Sequence, residues 1–362
     1  EICACLVGSE MCIRDRDNKT HLPILNQPPS DGSNNSTVTP FIPIWGQVTS
    51  TIDWCEENYV QSTFIAEFCN TLSNMSYIIV SIILYYRLNY KLNILETRFK
   101  LTMGGLLLVG LGSAMFHMSL RYDCQLLDEL PMIYITCIPC YSVLCEPLCY
   151  YKKKISKKIT KNNTDDDENN EDELDEERQL LLPFGRDNKP LTISKEFENS
   201  VIISLSLLSL IITFSYIFYI TDPIFHEICY GILNIIIVYI STKLTVLYIH
   251  DPKVKRNLIK SSFVGICLFL FGFVLWGLDR QYCGSLIHIR REYLKLPLGN
   301  VLELHAYWHL FTGIGLYYIL TYLIFLRINL HNKVKGDVYY NTNYEMEWVF
   351  FGTIPVLTKS DN

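Results

Sequence analysis

The sequence predicts an all-α integral membrane protein, a bundle of seven transmembrane helices, and three observations carry that expectation. The 362 residues are 49% hydrophobic and 19% charged, with a mean hydropathy of +0.18, which is too apolar for a soluble domain of ordinary charge content. Windows of about 20 mostly apolar residues, the length that crosses the hydrocarbon of a bilayer, recur along the chain. Basic residues gather in alternate loops, as they do when loops are sorted across a membrane. The windows are too long for strands of a membrane barrel and lack period-two alternation. Composition also excludes a disordered chain and a nucleic-acid partner. The formal net charge of −6 is dominated by ten acids between Asp165 and Glu177; the remainder holds 27 acids against 31 bases and is mildly basic.

Residues 1–16 lack the long apolar core and small-residue cleavage site of a secretory signal. They resemble translated adapter sequence and are expected to be non-native, which sets aside Cys3, Cys5 and Cys12. Residues 17–44, rich in Asn, Ser, Thr and Pro, are expected to be disordered, with Asn35 a glycosylation acceptor if this end is lumenal. The membrane domain is expected over 45–330. Its spans are placed at Phe68 to Tyr86, Leu101 to Leu120, Leu130 to Tyr151, Asn199 to Ile220, Ile228 to His250, Ser261 to Leu278 and Ala306 to Leu326. Pro131, Pro139, Glu146 and Pro147 interrupt the third, which is tolerated where neighbouring helices satisfy the freed carbonyls.

Arg87, Lys91, Arg98 and Lys100 mark the first loop, Lys152 to Lys161 the third, and Lys253, Lys255, Arg256 and Lys260 the fifth. These loops, and the tail with Arg327, Lys333 and Lys335, are therefore expected in the cytosol and the N-terminus in the lumen. Arg280, Arg290, Arg291 and Lys295 in the sixth loop run against this pattern. Residues 152–198, a Lys-rich run followed by an acidic one, are expected to be a disordered cytosolic insertion. Residues 331–362 form a cytosolic tail, in which Trp348 to Val356 is a candidate interfacial stretch.

Of eight histidines, three stand at membrane depth where an ionisable group is costly. His117 ends the second span; His305 and His309 open the seventh. Those two spans run in opposite directions, so the three imidazoles meet at one face, expected to be lumenal. His305 and His309 are at i and i+4, about 40° apart around a helix, and project to one side. Buried histidines also serve as helix-to-helix hydrogen bonders, but three of them with one open position is a catalytic zinc arrangement. Ser113 precedes His117 by four residues on the same face; a serine in a membrane helix ordinarily bonds back to its own carbonyls, and the neighbouring histidine is what makes it a site candidate. Asp128 and Glu129 begin the third span nearby, where an acid can orient a ligand, move a proton, or simply favour a helix start. Before the first span, Asp53, Glu56, Asn58 and Glu67 collect hard oxygen donors, without the glycine and twelve-residue spacing of an EF-hand; helix capping alone would explain Asp53 and Asn58, but four such donors beside an apolar span suggest calcium. His226 and Glu227, near the start of the fifth span, are candidates for further lumenal polar contacts, although a helix-end role is the readier reading.

With these residues assembled, the chain resembles the alkaline ceramidases, of the membrane hydrolase superfamily that includes the adiponectin-receptor-like proteins. The stretches that carry the resemblance are WGQVTSTIDWCEENY, IAEFCNTLSN, GLGSAMFHMSLRYDCQLLDELPMIY, FGFVLWGLDRQYC and LELHAYWHLFTGIG, between Trp45 and Arg327 outside the acidic insertion. The resemblance implies a seven-helix lipid amidase that cleaves ceramide to a fatty acid and a sphingoid base, in the endoplasmic reticulum or Golgi membrane. It implies zinc on His117, His305 and His309. It implies calcium on Asp53, Glu56, Asn58 and Glu67, with the Trp54 carbonyl as a further ligand. Ser113 and Asp128 match the catalytic serine and aspartate: Ser113 to donate to the developing oxyanion, Asp128 to carry the proton. Cys69 stands where an aromatic is usual. Among lumenal cysteines, Cys55 is expected to pair with Cys283, both flanking metal-site segments, with Cys124 the competitor. Receptor-like signalling on the same fold is the alternative; a transporter is disfavoured because the polar residues cluster at one face rather than along a path. The sequence names no protein partner.

Overall fold

The computed structural model describes residues 43–94, 96–161, 195–331 and 344–359. The leader, Asn35 and residues 162–194 of the acidic insertion lie outside the described residues. Among the described residues, seven helices are long and apolar enough to cross a membrane. They are α1 Phe68–Leu92, α2 Thr97–Ser119, α3 Tyr122–Glu146 continuing to Lys161, α4 Lys195–Phe218, α5 Pro223–Tyr248, α6 Pro252–Gln281 and α7 Leu304–His331. Helix therefore enters the segment 152–198 from both sides. An antiparallel hairpin, β1 Tyr344–Val349 and β2 Ile354–Lys359, closes the described chain. It is an addition to the all-α expectation, in a short apolar stretch that periodicity alone does not resolve.

Local chemistry fixes the ends of the spans. Asp222 and Asp251 cap α5 and α6 by accepting from Ile224 N, and from Lys253 N and Val254 N, with Pro223 and Pro252 in the first turn, where a missing N–H costs nothing. Leu120, in the left-handed region at φ 51°, ends α2, and α3 starts two residues later. The two helices pack closely. A Cβ on Gly112 would lie 2.4 Å from the Leu127 carbonyl oxygen, and one on Gly105 would meet the Ile135 side chain. Pro131 has no N–H to give Leu127 four residues back, so the carbonyl that proline frees is the one that abuts Gly112.

α7 is the central helix, with fourteen buried residues between His305 and Leu330. It crosses α6 at Gly265 and Gly315, where a Cβ on either would come within 3.0 Å of the other's carbonyl oxygen, the small-residue approach of membrane helices. α4 is peripheral, burying only Ile212 and Tyr216. At the end away from the histidines, Arg327 pairs with Glu96 and Glu146, and His331 with Glu146 at 2.9 Å. α2, α3 and α7 are thereby tied together.

Candidate metal centre and active site

The N-terminal segment builds one wall of the site by satisfying the C-terminal carbonyls of α2. Glu67 N donates to His117 O, Ala66 N to Met118 O, and Thr49 N and Ser50 N to Leu120 O, all at 3.0–3.1 Å. A helix end leaves such carbonyls without partners, and here they dock the segment beside His117. Glu56 then caps α1, its carboxylate accepting from Cys69 N at 2.7 Å and Asn70 N at 2.8 Å.

His117, His305 and His309 are buried, and one ring nitrogen of each lies within 4.8 Å of the others. Among the described residues they are the one group of three such ligands drawn this close. Each imidazole is held differently. His117 Nδ1 lies 2.5 Å from Glu67 Oε2 and His309 Nδ1 2.8 Å from Ser73 Oγ. Carboxylate or hydroxyl partners on Nδ1 leave Nε2 to face the cluster, the arrangement that fixes tautomer and ring orientation in metal sites. His305 stacks on Trp54, ring centroids 3.8 Å apart at 15°, and its Nδ1 is buried without a partner. Three neutral imidazoles converging with an orphaned nitrogen fit a borderline-soft divalent ion such as zinc.

Ser113 is buried on α2 and faces Asp128 on α3, a juxtaposition that the Gly112–Leu127 approach makes possible. Beside Asp128, Glu129 is buried and accepts from Tyr216 Oη at 2.5 Å, while His226 Nε2 lies 2.7 Å from Glu129 O. Glu129 and His226 thus tie α3, α4 and α5 together. Glu227 pairs with Arg280 at 3.7 Å.

The expected calcium residues are partly assembled. Glu67 accepts from Trp54 N at 3.2 Å and Asn70 Nδ2 at 3.1 Å as well as facing His117. Asp53 accepts from Asn58 Nδ2 at 3.1 Å, and Asn58 Oδ1 is buried without a partner. Burial, then the charge of Glu67, pushes the Glu56 carboxyl up to about 7; burial, then Asp53, pushes Glu67 well above its ordinary value. Crowded hard-oxygen donors with an orphaned acceptor fit a divalent cation. The three carboxylates nevertheless stand farther apart than the histidines, Glu56 being engaged at the start of α1.

Cys55 and Cys283 form a disulfide with Cα atoms 5.3 Å apart, and Cys124 is a free thiol. Around it the sixth loop clasps the N-terminal segment: buried Arg290 pairs with Glu303 and donates to Cys55 O at 2.6 Å, and Arg291 pairs with Glu57. Gln61 and Asn300 exchange two side-chain amide hydrogen bonds, Asn300 Nδ2 to Gln61 Oε1 at 3.0 Å and Gln61 Nε2 to Asn300 Oδ1 at 3.1 Å. Two of the four basic residues that ran against the loop pattern, Arg290 and Arg291, thus pair with acids of the same cap, and Arg280 pairs with Glu227. Sequence reasoning missed Ser73, the Trp54 ring, Arg290 and Asp279, whose buried carboxylate accepts from Cys55 N and His305 N at 3.3 Å. Asp279 and Arg290 carried a signal, as charged residues flanking the sixth span. Ser73 carried none.

Comparison with known proteins matches this architecture. A family model described as Ceramidase matches residues 46–358. The chain belongs to the ceramidase family. It is 39% identical over 305 residues to an alkaline ceramidase of Saccharomyces cerevisiae, covering 84% of this chain and 83% of that protein. It is 33% identical over 294 residues to alkaline ceramidase 3 of Mus musculus, covering 80% and 90%. A match to an alkaline ceramidase of Arabidopsis thaliana, 37% identical, is confined to 109 residues, 30% of this chain and 41% of that one.

Proposed function

We propose that this ceramidase-family chain hydrolyses the N-acyl bond of ceramide within the membrane, releasing a fatty acid and a sphingoid base, with zinc held by His117, His305 and His309. The observation that carries the reading is the buried three-histidine cluster beside the Ser113–Asp128 pair. A zinc ion there supplies Lewis-acid polarisation of the amide carbonyl and lowers the pKa of water. The remaining steps belong to side chains. Asp128 accepts the proton released as water adds to the carbonyl carbon and returns it to the amide nitrogen as the C–N bond breaks. Ser113 gives its hydrogen to Asp128 in the resting site. Once Asp128 is protonated that hydrogen is released to the oxyanion, so the two roles are coupled. Glu67 holds the His117 tautomer throughout.

Calcium on Asp53, Glu56, Asn58 and Glu67, with the Trp54 carbonyl, acts structurally in this reading. Glu67 links that cation to the zinc centre through His117. The Cys55–Cys283 disulfide and the histidine end face the lumen of the endoplasmic reticulum or Golgi, and the basic loops and hairpin face the cytosol. The test is ceramide hydrolysis with zinc content measured on the same preparation. His305→Ala should lose both zinc and activity; Ser113→Ala should keep zinc and lose activity. Zinc without cleavage of ceramide, dihydroceramide or phytoceramide, with calcium supplied, would refute the amidase reading and favour receptor-like signalling.

A further inference from the structure

The C-terminal hairpin lies lengthwise against the bundle. Passing from the strands to the turn, it meets α6 at Lys253 through Glu345, at Asn257 through Met346 O and Trp348 Nε1, and at Lys260 through Gly352 O at 2.8 Å. Those helix positions climb seven residues, about 10 Å, from the start of α6 toward its middle. On α7 the turn is held by Tyr318 Oη to Thr353 O at 2.8 Å, and Tyr318 is level with Ser261, which donates to its carbonyl at 3.0 Å. No charged residue follows between Ser261 and Leu278. The hairpin therefore begins level with the basic residues at the start of α6, and its turn reaches the level where the uncharged hydrocarbon-length run starts.

The turn carries two aromatics in positions that water would penalise. Phe350 is 72% exposed and Phe351 fully exposed. Both occupy the left-handed region, at φ 49° and 56°, where glycine or asparagine makes the better turn. Lys260 sits over the Trp348 ring at 3.7 Å while bonded to Gly352 O. Its charge is met at the level of the turn by a ring face and a carbonyl. At the same level of α6, Ile259 and Phe263 are exposed as well, continuing an apolar outer band.

We propose that the hairpin is a membrane anchor whose turn inserts Phe350 and Phe351 among the acyl chains of the leaflet opposite the histidine cluster, with Trp348 and Lys260 at the headgroup boundary. Lipid is the occupant that fits: the turn stands at hydrocarbon level, basic side chains lie on the headgroup side, and exposed aromatics are favourable only where the solvent is apolar. The inference stands on the hairpin's own geometry and is independent of the proposed activity.

The test places an extra indole at the tip by Phe351→Trp in the full chain, reconstituted in phosphatidylcholine vesicles. The added emission, taken as the difference from the parent with its five tryptophans, is expected to be blue-shifted, lost with acyl-brominated lipid and insensitive to aqueous iodide. Red-shifted emission quenched by iodide would overturn the proposal by placing the turn in water. Emission shielded from both quenchers would overturn it too, by showing that a protein surface covers the tip. Phe350→Trp, read the same way, guards against a local misfolding of the first variant.

Discussion

Gly112→Ala offers a sharp test of how the Ser113–Asp128 pair is positioned. The new Cβ would stand 2.4 Å from the Leu127 carbonyl oxygen, 0.6 Å inside the 3.0 Å limit that Cβ contacts essentially never breach. The obstructing atom is helix backbone, so it cannot rotate away; α2 and α3 must separate. Overpacking of this kind costs about 1–3 kcal/mol. Because Ser113 and Asp128 each follow a clashing residue directly, the separation moves the two side chains apart. A misplacement of about 1 Å at reacting groups costs about 10²-fold in rate, so kcat for ceramide hydrolysis, normalised to zinc content, should fall by one to two orders of magnitude. Two neighbours on the same helix calibrate the effect. Gly104→Ala meets nothing within 4 Å and should behave as the parent. Gly105→Ala strikes the Ile135 side chain, which can change rotamer two turns from Ser113, so it should lower melting temperature more than rate. If Gly112→Ala hydrolyses ceramide at the parental rate, close helix approach does not position the pair and the reasoning is wrong.

Other outcomes follow from the same geometry. Glu67→Gln removes the charge facing His117 Nδ1 and should weaken zinc retention against a chelator by about 10–100-fold, whereas Ser113→Ala should leave retention unchanged. Arg290→Met strands the buried Glu303 carboxylate and the Cys55 carbonyl, costing about 3–5 kcal/mol; thermal melting should show partial recovery when Glu303→Gln is added. The Glu56 carboxyl, pushed by burial from 4.5 to about 7, makes the cation-free fold bind more protons than the unfolded chain. Its stability should then fall as pH rises from 4.5 through about 7 and stay flat above. Calcium compensates the ionised form, so EGTA should lower the melting temperature above pH 7 and do little at the acidic end of that window. An EGTA effect that is equal at both ends would contradict the placement of Glu56 in the cation site.

Much of this protein was legible in its sequence because a bilayer imposes coarse rules. Length and apolarity alone mark seven spans, and the intramembrane cost of an imidazole singles out His117, His305 and His309 wherever they pack. Antiparallel span order even brings those three to one face without coordinates. The third span was the harder reading, since three prolines look like breaks, yet the helix runs on from Tyr122 to Lys161, and at Pro131 the Leu127 carbonyl that proline frees abuts Gly112. The hairpin was barely legible, because two six-residue strands declare themselves through packing on α6 and α7 rather than through period. The supports of the site were hidden for a related reason. Ser73 on His309, the Trp54 ring on His305, and Asp279 and Arg290 in the cap all act across 13 to 251 residues of chain. Hydrogen bonds and stacking decide such roles at distances of a few ångströms. What the sequence by itself determined is therefore what solvent partition dictates, the spans and the identity of the costly residues within them. What tertiary structure alone decided is which atoms face each other, because orientation depends on how closely helices pack and no local pattern encodes that separation.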